Sequence, residues 1–142
     1  EKNQIGERLV PDGSGGLLSA LYQYRQLLRE GAKGFQSFAA AGTEPAYPLK
    51  ADGAPPEDYY KSRVMCDVLK TRHAAVECKW YFDQASGSLI FAEVFAVENE
   101  DPCELYFTEY KPEGGRELPG QIEVRYGDKR YGYLKINNWK LS

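Results

Sequence analysis

The chain has 142 residues, of which 42% are hydrophobic and 27% are charged. This composition excludes a disordered chain and supplies enough apolar surface for one domain with a buried core. A net charge of −3 argues against nucleic acid as the main partner. No apolar run approaches the roughly 20 residues that are needed to span a bilayer.

Residues 1–16 are polar and glycine-rich, which predicts a linker or a disordered N-terminus. Because the chain begins at Glu1 without Met, we expect it to be part of a longer protein. Apolar residues then recur at helical spacing over residues 17–30, and Gly31 is a suitable terminator. The pattern predicts a short amphipathic helix that must pack on an apolar surface to be stable.

We predict a single domain over residues 17–142. Residues 35–41 are a candidate for its first strand. The next segment, residues 42–58, contains four prolines and two glycines. Proline removes a ladder donor and fixes φ, so we predict a long Pro-rich loop here. Its tyrosines either tether the loop to the body of the domain or belong to a functional loop.

From residue 60 onward the chain shows the two-residue alternation of β-strands, separated by turn residues. Residues 89–98 are apolar on both faces, so this strand should be covered on both sides. In the closing meander, alternation predicts Leu105 and Phe107 on one face of the sheet and Tyr110 on the other. The predicted fold class is α+β: a single curved antiparallel meander of about seven strands, with the N-terminal helix packed across its concave face.

The three cysteines lie in predicted strands. A hairpin turning near Thr71 and Arg72 would place Cys66 opposite Cys78, close enough for a disulfide. The alternative is three small apolar residues in a reduced core, including Cys103. The chain has one histidine, His73, and no Cys-x-x-Cys motif, so no metal site or other cofactor is expected.

No catalytic residues are predicted, because no nucleophile has a base in reach and no carboxylate pair lies in an obvious cleft. Residues 12–16 read Asp-Gly-Ser-Gly-Gly, but no histidine precedes them and the flanking sequence is linker-like, so a protease nucleophile is rejected. Glu93 shares a predicted core face with Phe91 and Phe95. An inward carboxylate is either paired across the sheet, for example with a tyrosine or an arginine, or exposed to a ligand cavity.

The C-terminal meander resembles a hairpin of the periplasmic lipoprotein-carrier superfamily, the LolA-like and RseB-like half-barrels. The matching residues are Phe107-x-x-Tyr110, Gly114-Gly115, Leu118-Pro119 and Ile122-x-Val124. The chain also resembles a C-terminal accessory domain of secreted bacterial trypsin-like serine proteases. There the matching segments are Asp101-Pro102-Cys103-Glu104 and Gly127-Asp128-Lys129-Arg130-Tyr131-Gly132.

These resemblances imply a periplasmic or secreted location and a parent protein whose catalytic residues lie outside this chain. The expected function is a non-enzymatic binding module that holds a lipid tail or an apolar peptide in the concave face of the sheet. The residues expected to line its cavity are Trp80, Phe91, Glu93, Phe95, Leu105 and Phe107. The alternative is an accessory interaction domain that contacts a neighbouring protease domain and has no ligand of its own.

Overall fold

The computed structural model describes residues 17–48, 56–96, 101–126 and 129–136. Its elements are the helix α1 (Leu17–Glu30), a 3-10 turn (Gly31–Gly34), β1 (Ser37–Ala46), the short helix α2 (Pro56–Lys61), β2 (Val64–His73), β3 (Val76–Asp83), β4 (Leu89–Phe95), β5 (Cys103–Glu113), β6 (Arg116–Tyr126) and β7 (Lys129–Lys135). The strands form one open antiparallel sheet in the order β1 to β7. This confirms the predicted α+β meander. The predicted linker, residues 1–16, lies outside the described residues.

Helix α1 covers one face of the sheet, as its amphipathic pattern predicts. The ring of Tyr24 lies 4.7 Å from that of Phe107 and 6.4 Å from that of Trp80, measured between centroids. In the middle of the helix, Gln23 Nε2 donates a hydrogen bond to the carbonyl of His73 at 3.2 Å. The helix ends at Gly31, whose φ of 59° gives the left-handed conformation that glycine adopts without strain.

Both faces of the sheet carry buried apolar clusters. We call the face beneath α1 the helix face and the opposite one the outer face. The helix-face cluster contains, with Ala20 and Tyr24 of α1, the sheet residues Val76, Cys78, Trp80, Leu89, Ala92, Val94, Cys103, Leu105, Phe107, Ile122 and Val124. The outer-face cluster contains Ala46, Cys66, Val68, Tyr81, Phe91 and Tyr106. The core is therefore divided between two sides of one sheet, and strand β4 contributes to both.

The predicted loop over 42–58 is wrong at both ends. Strand β1 passes through a bulge at Gly42, where φ is 83°, and continues to Ala46. Pro45 is tolerated in it because β1 is an edge strand that pairs only with β2. At the other end Pro56 begins α2, a position where a missing N–H costs nothing. Residues 49–55 lie outside the described residues.

Of the two alternatives for the cysteines, the possible disulfide between Cys66 and Cys78 is wrong. The β2–β3 hairpin turns at Ala74 and Ala75 rather than at Thr71 and Arg72, and both alanines have positive φ (51° and 66°). In the resulting register Thr71 lies opposite Cys78, while Cys66 lies opposite Asp83. The two sulfurs are therefore on opposite faces, and all three cysteines are buried free thiols.

Burial makes these thiols unreactive, which gives a testable prediction. It raises the pKa of Cys66 to about 11 and the pKa values of Cys78 and Cys103 to about 12. Reactivity requires the thiolate, so at pH 8 we expect no iodoacetamide labelling of the folded protein and three labelled cysteines after unreduced protein is denatured. Intact mass spectrometry measures the count. One labelled cysteine under denaturing conditions would indicate a disulfide and contradict the register.

The same pKa values predict how stability depends on pH. A thiol whose pKa is raised on folding stabilises the folded state fully below its unfolded pKa of about 8.5. This contribution is lost as the pH rises through the folded values of about 11 to 12. We therefore expect the urea midpoint to fall with alkaline pH.

Candidate functional site

The six residues predicted to line one cavity lie on two faces of the sheet. Trp80, Leu105 and Phe107 belong to the helix face and are at most 2% exposed beneath α1. The register explains the separation, because Trp80 lies opposite Ala92, whereas Phe91 lies opposite Tyr81 on the outer face. By alternation along β4, Glu93 and Phe95 share the outer face with Phe91. The structure therefore does not bring the six together.

Trp80 fills the centre of the helix face rather than a cavity wall. It is fully buried, and its Nε1 donates a 2.8 Å hydrogen bond to Oγ1 of Thr71 on the neighbouring strand. The indole N–H needs a partner when the ring is buried, and Thr71 supplies it inside the core. This part of the helix face is solid packing.

Glu93 is paired across the sheet. The hydroxyl of Tyr81 donates a 2.6 Å hydrogen bond to Glu93 Oε1. Burial is the first cause that raises the pKa of Tyr81, and the neighbouring carboxylate raises it further. Of the two readings of an inward carboxylate, the structure thus shows a tyrosine partner.

A row of aromatic rings crosses the outer face beside this pair. The ring centroids of Tyr81 and Phe91 are 4.9 Å apart, and those of Phe91 and Tyr106 are 4.7 Å apart. A cation lies at each end of the row: Lys79 Nζ is 5.4 Å from the Tyr81 ring and Arg125 Cζ is 5.8 Å from the Tyr106 ring. The cations also form ion pairs, Lys79 with Glu44 at 2.7 Å and Arg125 with Glu123 at 3.2 Å. Ion pairs and stacked rings that contact one another in this way are typical of a structural network.

The feature that fits a ligand is a cleft of about 390 Å³ at one end of the helix face. It lies between the C-terminal half of α1, the β3–β4 turn and the start of β6. The cleft is lined by Tyr24, Leu27, Leu28, Phe82, Ser86, Gly87, Ser88, Leu89, Tyr110, Arg116, Glu117, Leu118 and Pro119. Eight of these thirteen residues have aliphatic or aromatic side chains, and the two charged residues, Arg116 and Glu117, are exposed.

Two contacts hold the walls of the cleft together. Arg116 Nη1 donates a 3.2 Å hydrogen bond to the carbonyl of Leu28, which ties the β5–β6 hairpin to the end of α1. The hydroxyl of Tyr110 donates a hydrogen bond to the carbonyl of Leu89, which ties β5 to β4. Burial raises the pKa of both Tyr24 and Tyr110, so their hydroxyls stay protonated at neutral pH. The inner walls of the cleft are therefore uncharged.

Sequence alternation missed this cleft because it places Tyr110 on the wrong face. Glu109 has a φ of 56° in the middle of β5, and this left-handed residue interrupts the alternation. Tyr110 consequently packs against the helix-face cluster instead of facing away from it. A signal was present in the sequence: Gly120, opposite Glu109 on β6, marks a close approach of backbone.

His73 lies in a second depression, of about 410 Å³, beside the end of α1. Its ring stacks on that of Tyr22 at 5.7 Å and meets the edge of Phe35 at 6.3 Å. Among the described residues, no three histidine, cysteine or carboxylate side chains are grouped so that they could hold a metal ion. None of the helices in this described part is long and apolar enough to cross a membrane.

Comparison with known proteins adds no assignment to this geometry. The chain matches no family model, no curated protein and no solved structure. The function is therefore inferred from the contacts and cavities of the chain itself.

Proposed function

We propose that the chain is a non-enzymatic binding module whose cleft receives the apolar part of a ligand, such as a lipid tail or an apolar side chain of a peptide. The observation that carries the proposal is the open cleft of about 390 Å³, whose inner walls are uncharged and whose two charged residues, Arg116 and Glu117, lie at the exposed rim. Its volume falls within the range of about 300 to 1,000 Å³ that is common for ligand pockets.

The character of the walls supports an apolar ligand. Leu27, Leu28 and Leu89 offer aliphatic surface, and the aromatic walls keep their hydroxyls protonated. Burial of apolar area contributes roughly 25 cal/mol per Å² and requires no directional partner. Arg116 and Glu117 carry opposite charges at the exposed rim, so the cleft offers no excess charge of either sign to a ligand headgroup.

The proposal is tested by titrating ¹⁵N-labelled protein with 1-decanol as a neutral apolar probe. We expect saturable shifts of the amide resonances of Gly87, Leu89 and Leu118. Ser88→Phe, which fills the cleft from the exposed turn, should weaken binding at least tenfold. Thr108→Phe adds the same ring at an exposed position outside the cleft lining and should leave the affinity unchanged.

Two results would reject the proposal. One is the absence of shifts at the cleft up to the solubility limit of the probe; the other is equal weakening by Ser88→Phe and Thr108→Phe. Native mass spectrometry of protein purified from cells provides a second readout, because a bound lipid would add a discrete mass.

The accessory protein-interaction role is supported by a different observation, the exposure of strand β1 at the edge of the sheet. A periplasmic or secreted location and a neighbouring protease domain are implied by the resemblances alone. Neither is needed for the binding proposal.

A further inference from the structure

The first half of β1 is an exposed, uncharged sheet edge. Strand β1 pairs with β2 on one side only, so its other side presents backbone N–H and C=O groups. Residues 37–40 are all exposed, including 38% of the Phe38 side chain. The sequence contains no charged residue from Gln36 to Thr43. Such an edge is a template for another strand.

The other exposed edges of the sheet have features that discourage pairing with another strand, and this segment lacks them. Strand β7, at the opposite edge, contains Lys129, Arg130 and Lys135. The second half of β1 follows the Gly42 bulge and contains a proline and Glu44. Lysine, proline and bulges all discourage the addition of a strand. The unprotected stretch is therefore confined to residues 37–41.

We propose that residues 37–41 pair antiparallel with the same residues of a second copy, forming a two-fold dimer with a continuous fourteen-stranded sheet. Seven strands from each copy give this total. Pairing of like edges closes after two copies, whereas pairing of β1 with β7 would build an open fibre. The basic β7 also has no acidic counterpart on the uncharged β1 segment.

Symmetry restricts the register of the pair. A two-fold axis perpendicular to the sheet keeps both α1 helices on the same side, so a helix-face residue must lie opposite a helix-face residue. Phe38 and Ala40 are on that face, because they lie opposite Thr71 and Leu69 of β2. The axis must therefore pass through a residue rather than between two residues.

An axis through Ala39 gives the best fit of side chains. It places the half-exposed Phe38 of each copy opposite the small Ala40 of the other, so a large and a small residue meet twice. An axis through Phe38 would instead set the two rings directly against each other, and one through Ala40 would bring Phe38 opposite the Gly42 bulge.

Sedimentation equilibrium of the full chain tests the association. We expect a concentration-dependent monomer–dimer equilibrium between about 10 μM and about 1 mM, because a single strand pair is a small interface. Ala39→Lys would place two like charges opposite each other and should weaken dimerisation at least tenfold. Ser86→Lys, in the exposed β3–β4 turn, changes the net charge equally and should leave the dimer intact.

Disulfide capture tests the register. Under mild oxidation Ala39→Cys should form a covalent dimer, because directly opposed residues have Cα atoms about 4.5 to 5.5 Å apart, within disulfide range. Ala41→Cys is the matched control, since its two copies would lie four residues apart along the pair, about 13 Å, and should stay monomeric. The native cysteines are buried and should not contribute.

Three results would overturn the proposal. They are a monomer over the whole concentration range, a dimer that Ala39→Lys leaves unchanged, and equal capture of the Ala39→Cys and Ala41→Cys variants. The second result would place the interface elsewhere. The third would exclude the register.

Discussion

Replacing Gly120 by alanine should lower the free energy of unfolding by about 1 to 3 kcal/mol, the usual cost of forcing an extra methyl group into packed structure. A Cβ at this position would lie 2.7 Å from the backbone carbonyl of Glu109 and 2.6 Å from Cε of Lys111. The lysine side chain can move away, but the carbonyl belongs to the backbone of β5 between the paired residues Thr108 and Tyr110 and cannot move without disturbing them. Urea unfolding followed by circular dichroism measures the loss.

Gly132→Ala is the matched control for this prediction. Gly132 lies on the adjacent strand β7, and a Cβ there would meet no atom within 4 Å. We expect a change of no more than about 0.5 kcal/mol, as for most substitutions that create no clash. Equal losses for the two variants would indicate that the methyl contact with Glu109 is not the cause.

A consequence for the cleft follows from the same contact. Gly120 approaches Glu109 closely at the point where Glu109 adopts its left-handed conformation. This conformation directs Tyr110 into the cleft wall. A Gly120→Ala variant that remains folded should therefore bind 1-decanol more weakly than the Gly132→Ala variant does. Unchanged affinity would show that the shape of the cleft wall does not depend on this backbone contact.

The second large effect is expected at the buried hydrogen bond between Trp80 and Thr71. Thr71→Val keeps the shape of the side chain but leaves the indole N–H without its partner in the core. A buried donor left unsatisfied costs about 1 to 3 kcal/mol. Trp80→Phe should cost about 2 to 4 kcal/mol, because it removes ring volume from the centre of the helix face.

A double-mutant cycle separates the hydrogen bond from the packing. In the Trp80→Phe background the indole donor is gone, so Thr71→Val should cost at least about 1 kcal/mol less than it does in the wild type. Circular dichroism is the appropriate signal, since the change removes a tryptophan. Additive losses would mean that Thr71 acts through its packing alone or through its contact with Cys78.

Local patterns in the sequence determined most of the elements of this fold. The apolar spacing over residues 17–30 predicts α1 with its observed bounds, and Gly31 ends it as expected. Two-residue alternation predicts the meander, because apolar and polar residues alternate along a strand that has one face buried. These properties depend on residues that are neighbours in the chain, so the sequence displays them directly.

Tertiary structure alone decided which strand faces meet. The turn at Ala74 and Ala75 contains no glycine or asparagine to mark it, and its position sets the register that separates Cys66 from Cys78. The chain could not show that Trp80 and Phe91 face opposite sides, since a shift of one residue in pairing exchanges the faces of a strand.

The cleft has the same origin. It exists because Glu109 adopts a left-handed conformation opposite Gly120, which sends Tyr110 toward α1. No propensity favours that conformation for glutamate, and only the contacts of the assembled sheet stabilise it. Periodicity therefore fixed most of the secondary structure, whereas pairing between distant residues fixed which faces are buried together and where the site lies.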